Sequence, residues 1–179
     1  MNSRDRLVQA LNHQEPDRVP FDLGGTGLST IHVTAYQYLR EHLGLPATAP
    51  RIGFMAEQLV LVDQDVSERL TTDVRPVLPG LPSGFEYGLR DEGGYQAYTD
   101  EWGIGWRKPR EGGFYYDMYH HPLAGASSLA DLKTFRFPDP LVDGRFSSLR
   151  AQAEAEAAKG KAVALAGPCA GIAEVYSLS

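Results

Sequence analysis

The residues of this chain with chemical potential are a glycine-rich loop, several carboxylates near strand ends and one histidine pair. Gly24-Gly25-Thr26-Gly27 follows the run Arg18-Val19-Pro20-Phe21-Asp22-Leu23, and consecutive backbone amides in such a loop can cradle an anion. Neither G-x-G-x-x-G nor G-x-x-x-x-G-K-[ST] fits, so Gly24 and Gly25, with Asp22 beside them, read as the lining of a substrate pocket. Asp73 and Arg75 stand two residues apart on an extended run, share a face, and are expected to pair. Glu174 opens a helical pattern, where a carboxylate either complements the helix dipole or faces the pocket. The neighbours His120-His121 and Asp100-Glu101 each diverge to opposite faces of extended chain, which argues against a shared acid–base or ligand site. Trp102 and Trp106, four apart on one strand face, read as cover for a core. Cys169 is the only cysteine, so it forms no internal disulfide and no multi-thiolate zinc site by itself.

The elements that must position these groups follow from periodicity. Ser3 to Asn12 is a helix with Leu7, Val8 and Leu11 on one face and Asn2 or Ser3 as its cap. Residues 18–23 read as a first strand emptying into the glycine loop. A second helix runs from Ser29 or Thr30 to Leu43 and stops at Gly44, and a shorter one runs from about Asp63 to Leu70. Asp73 to Leu78 is a second strand, closed by the breakers Pro79-Gly80-Leu81-Pro82. Residues 84–120 interleave aromatic residues with Gly93-Gly94 and Gly112-Gly113, the pattern of an antiparallel insert. A capped short helix at 127–132, a helix from about Asp143 to Lys159 and a buried-type strand at 162–166 complete the pattern. Strands alternating with helices predict an α/β protein of parallel units; an eight-stranded barrel ordinarily takes about 250 residues, so three such strands would be an incomplete set of one.

Composition narrows the function classes. The chain has 179 residues, 17 basic and 23 acidic side chains for a net charge of −6, and 42% hydrophobic residues, ordinary for a globular domain. An acidic balance is unfavourable for sequence-independent nucleic-acid binding, which depends on basic residues displacing counterions. The longest apolar runs, Leu59 to Val62 and Ala162 to Ala166, fall far short of the roughly 18 residues of a membrane span. The opening residues show no export signal, so a cytoplasmic location is expected.

The run from Ser3 to Pro20, SRDRLVQALNHQEPDRVP, resembles the opening of uroporphyrinogen decarboxylase superfamily proteins. Thr72-Asp73-Val74-Arg75-Pro76, Thr99-Asp100-Glu101-Trp102-Gly103, His121-Pro122-Leu123 and Phe137-Pro138-Asp139-Pro140 follow in order and resemble the subgroup containing corrinoid-linked methyltransferases. The resemblance implies a (β/α)₈ barrel with its active site at the carboxyl ends of the strands, of which residues 1–179 are the N-terminal part with an insert at about 84–120. It also implies that Asp73 is the catalytic aspartate that stabilises a developing cation, that Tyr176 corresponds to a catalytic tyrosine, and that the substrate is a small molecule. In the methyltransferase branch it implies a zinc ion on a His-x-Cys pair and a later Cys, producing a thiolate that takes methyl from a corrinoid protein. Those ligands have no counterparts here, since Gly167 precedes Cys169 by two and no histidine follows His121; zinc is expected only with a segment beyond Ser179. The decarboxylase branch, cofactor-independent and devoted to porphyrin synthesis, is the alternative, but its arginines after the first strand are absent, with none between Arg18 and Arg40. A third reading is a non-catalytic half-barrel that forms a homo-oligomer or binds a complementing half, because open strand edges and apolar faces invite association.

Overall fold

The computed structural model describes residues 1–165. Glu174, Tyr176 and Cys169 lie outside the described residues. The elements in chain order are α1 (Ser3–Leu11), α2 (Val33–His42), β1 (Ile52–Phe54), β2 (Leu59–Val60), α3 (Gln64–Arg69), β3 (Val74–Val77), β4 (Arg90–Glu92), β5 (Tyr95–Thr99), β6 (Gly105–Pro109), β7 (Asp117–His120), α4 (Leu129–Thr134), α5 (Leu149–Ala158) and β8 (Ala162–Leu165). They fall into two compact units, residues 1–79 with 147–165, and residues 80–146. The protein is thus a mixed α/β chain of small sheets.

In the first unit, α1 starts where Asn2 accepts the Asp5 N–H at 2.8 Å, satisfying an orphan first-turn donor. Helix α2 begins later than periodicity predicts. Thr30 to His32 are instead drawn alongside β2, with the Thr30 hydroxyl on the Val60 carbonyl at 2.6 Å and an isolated bridge from His32 to Leu59. His32 then caps the helix through Nδ1, and Gly44, at φ +68°, ends it. Beneath α2 lies a core of Tyr36, Val60, Val62 and Val66, each burial contributing on the order of 1.5–3 kcal/mol for an aliphatic side chain. Tyr36 carries its hydroxyl into this core because Asp63 satisfies it twice: the Asp63 N–H donates to it at 2.9 Å, and it donates to Asp63 Oδ2 at 2.9 Å. The β1–β2 hairpin was not anticipated from the sequence.

Strands β3 and β8 form a two-stranded parallel sheet with Val74 opposite Ala162 and Val77 opposite Leu165. Both were expected as strands. The predicted first strand at 18–23 is not one: Pro20 offers no N–H, and the Phe21 N–H goes to the Asp73 carboxylate rather than to a ladder carbonyl. The backbone–backbone bond between that segment and the start of β3 is from the Asp73 N–H to the Phe21 carbonyl at 2.7 Å. The described residues therefore contain one parallel pair rather than three parallel strands, and no sheet closes on itself, so the expected partial barrel is not seen.

The face of α1 carrying Leu7, Val8 and Leu11 does not enter a core. It lines an open groove of about 450 Å³ with Ala153, Ala157 and Val163, and Leu11 is 71% exposed. The residue that α1 buries is Arg6.

The second unit is a four-stranded antiparallel meander in the order β4-β5-β6-β7, as its glycine-punctuated aromatic pattern predicts. Tyr98 is its centre, edge-on to Tyr87 and Tyr116 and stacked with Trp106 at 6.2 Å. The two tryptophans do not share a strand face: Trp102 sits in the turn between β5 and β6, against Phe137, and Trp106 lies in β6. Helix α4 has a capping box between Ser128 and Asp131. Helix α5, expected from Asp143, starts at Leu149 in the first unit because Asp143 and Arg145 are committed elsewhere. Their carbonyls accept the N–H groups of Ser83 and Gly80, which fastens residues 143–145 to the Pro79–Pro82 breakers.

Candidate functional site

Asp73 is fully buried, and both of its carboxylate oxygens are occupied. Arg6 Nη1 donates to Oδ1 at 2.6 Å, Arg18 donates to Oδ2 at 2.7 Å and to Oδ1 at 3.0 Å, and the Phe21 N–H donates to Oδ2 at 2.8 Å. The Arg6 fork continues to Asp17, with Nε on Oδ1 at 2.6 Å and Nη2 on Oδ2 at 2.9 Å. Burial pushes the Asp73 carboxyl up, but Phe21, Arg18, Ser3 and Arg6 together outweigh it and hold the group below the usual carboxylate range. The Arg6 hydrogen bonds hold Asp17 down at about 2 despite its partial desolvation.

This arrangement fixes what Asp73 can do. It is an ionised anchor with two guanidinium partners, joining α1, the 17–21 segment and the start of β3. It immediately precedes Val74, so it lies at the amino end of β3, opposite to the carboxyl end where barrel enzymes place their chemistry. The expected pairing with Arg75 is not formed. Arg75 donates to the Val62 carbonyl at 3.2 Å and faces Glu156 at 3.6 Å.

The glycine loop is built by packing. A Cβ on Gly24 would lie 2.6 Å from Val62 Cγ2, and one on Gly25 would lie 2.5 Å from Asp22 Oδ1 and 2.6 Å from Val74 Cγ1. Gly24 also holds φ +88°, a conformation only glycine adopts without strain. Asp22 does not present a free carboxylate oxygen pair to a pocket, because Oδ1 accepts the Gly25 N–H at 2.8 Å. The Gly24 N–H goes to the Ser29 carbonyl and the Thr26 N–H to the Ser29 hydroxyl, so three successive amides are satisfied internally and offer no anion cradle. Gly25 does bring this loop against Val74, the residue after Asp73. Asp22, Gly24, Gly25 and Asp73 are therefore gathered in one region of the first unit, while Arg75 faces other partners.

In the second unit, Asp100 accepts the Trp102 and Ile104 N–H groups and the Trp106 indole N–H at 2.8 Å. Burial pushes its carboxyl up, and those three donors pull against that shift. Glu101 is paired with Arg145. Among the described residues, no group of three His, Cys, Asp or Glu side chains comes together to hold a metal ion, and no helix is long and apolar enough to cross a membrane.

Sequence reasoning missed Arg6 and Arg18 as partners of Asp73, Asp17 as the second partner of Arg6, and the clamp in which Arg40 reaches Asp63 at 3.1 Å and Asp65 at 2.7 Å. For Arg40 the available signal was a charged residue beside Tyr36 and Leu43 on the apolar side of α2; Arg6 lies off the Leu7–Leu11 stripe and carried no such signal. Comparison with family models, curated proteins and solved structures found no match.

Proposed function

We propose that this chain is the N-terminal part of a uroporphyrinogen decarboxylase-like enzyme of the corrinoid-linked methyl-transfer branch, acting on a small molecule with a corrinoid protein as partner. What carries the reading is the parallel pairing of β3 with β8, which supports a β/α unit with α5 leading into its second strand, in a chain whose five motifs follow the family's order. Such a pair exposes Val163 and Leu165 on β8, and parallel sheets are normally covered on both faces and continued at their edges. The methyl-transfer branch is favoured over decarboxylation by the fate of the nearby arginines. Arg6 and Arg18 are consumed by Asp73 and Asp17, and the 22–27 loop has no guanidinium, so a polycarboxylate would find no bidentate partner there.

The zinc of that branch is not assigned to any described residue, and no step is derived through it. The role of this part is positioning: Asp73 pins α1 and the 17–21 segment to β3, and Asp22 and Gly25 hold the glycine loop against Val74. The test is expression of the whole open reading frame containing this chain. It should transfer methyl from methylcobalamin to a thiol, followed by the cobalamin absorbance change, and should leave uroporphyrinogen unaltered. Uroporphyrinogen decarboxylation without methyl transfer would reverse the assignment.

A further inference from the structure

The second unit contains a cavity of about 450 Å³, walled by Pro82, Phe85, Phe137, Pro138 and Val142, within the size range of small-molecule sites. Its charged lining is unevenly committed. Asp100 already accepts two backbone amides on Oδ1 and the Trp106 indole on Oδ2, and Glu101 is paired with Arg145. Arg136 lines the same cavity and has no hydrogen-bond or ion partner among the described residues. Asp139, three residues on, uses Oδ1 to accept the Leu141 N–H at 2.8 Å and leaves Oδ2 without a partner among the described residues. Both side chains are exposed, while the aromatic wall is fixed by edge-on contacts of Phe137 with Phe135 at 4.8 Å and with Trp102 at 6.5 Å.

One uncommitted guanidinium and one uncommitted carboxylate oxygen beside an apolar wall form a donor–acceptor pair of fixed polarity. We propose that this cavity binds a free α-amino acid with an aromatic or large aliphatic side chain, its carboxylate on Arg136, its ammonium on Asp139 and its side chain against Phe85 and Phe137. The guanidinium fork suits a carboxylate bidentately, and the phenyl faces suit both an apolar side chain and the adjacent ammonium. A simple anion would meet Asp139 unpaired, and a simple amine would meet Arg136 unpaired, so each should bind less well than the zwitterion.

The probe is L-phenylalanine, titrated into the full chain and followed by calorimetry and by Trp102 fluorescence. Saturable binding is expected, about tenfold weaker for phenylacetate and for phenethylamine, each of which loses one charged contact. Arg136→Gln should weaken L-phenylalanine about tenfold while leaving phenethylamine unchanged or improved, and Asp139→Asn should do the converse with phenylacetate. Asparagine retains the Leu141 contact, and both positions are exposed, so circular dichroism should be unaltered in either variant. Absence of saturation up to about 10 mM L-phenylalanine, or equal binding of the amino acid by wild type and both variants, would overturn the proposal.

Discussion

Replacing Asp73 by asparagine removes one negative charge from a site where two guanidinium groups converge. Arg6 is 7% exposed and would keep Asp17, but Arg18 would lose the only carboxylate it touches among the described residues. Of the hydrogen bonds to Asp73, three come from the guanidinium groups of Arg6 and Arg18, each ordinarily contributing about 1.5–3 kcal/mol, and the asparagine amide can satisfy only part of that set. Removing one partner of a fully buried ion pair costs about 3–5 kcal/mol because the opposite charge is left desolvated, but here Arg6 keeps Asp17 and Arg18 is 39% exposed, so a loss of about 2–3 kcal/mol is expected. Urea unfolding at pH 7, read by far-ultraviolet circular dichroism, measures it as a lowered midpoint with an unchanged slope. Arg75→Gln serves as the comparison, since Arg75 makes no contact with Asp73, and its loss should be near 1 kcal/mol. A loss for Asp73→Asn below about 1 kcal/mol, or no greater than for Arg75→Gln, would refute the view that this carboxylate anchors the fold.

The same network sets an acid limit. Asp17 and Asp73 have folded pKa values below the ordinary carboxylate value, so their stabilisation is complete above about pH 4 and is lost as pH falls toward about 2; thermal midpoints measured across that window should drop, less so in Asp17→Asn. Asp100 pulls in the opposite direction, because burial raises its pKa, so the difference between wild type and Asp17→Asn, not the absolute midpoint, is the readout. Gly25→Ala should cost about 1–3 kcal/mol in urea unfolding, because its Cβ would press on Val74 and the Asp22 carboxylate. Thr71, a β-branched residue at φ +53° after α3, is strained, and Thr71→Gly should raise stability by about 0.5–1 kcal/mol; a decrease would show that its side chain matters more than its backbone.

What the sequence made legible was local. Asn2, Gly44 and the capped start of α4 mark helix ends because capping is decided within a few residues. The antiparallel meander was legible for the same reason, its turns carrying glycine pairs between short aromatic runs. The partners of Asp73 lie 67 and 55 residues away, and no periodicity reports a contact at that range. Leu7, Val8 and Leu11 do form the expected stripe on α1, but which surface that stripe borders, a groove shared with Ala153, Ala157 and Val163, is again decided by residues far along the chain. The segment at 18–23 had a strand's composition without its hydrogen-bond donors. Of the candidate site, Asp22, Gly24 and Gly25 were singled out by residue type and Asp73 by the resemblance, and the four lie in one region of the first unit. Their bonding, which makes them anchors and spacers, was beyond one-dimensional reading.

The register of β3 with β8 has a consequence for how the chain is made. Val74 leaves the ribosome well before its hydrogen-bonding neighbour Ala162; with roughly 90 residues between them and synthesis at ~5–20 residues per second, β3 waits several seconds for its mate. The meander of residues 90–120, whose pairings are all between consecutive strands, can form during that interval, whereas the first unit must hold its beginning open for its end. A chaperone or a slow codon run acting on this polypeptide would have its largest effect between those two moments, while the edges of β3 are still bare.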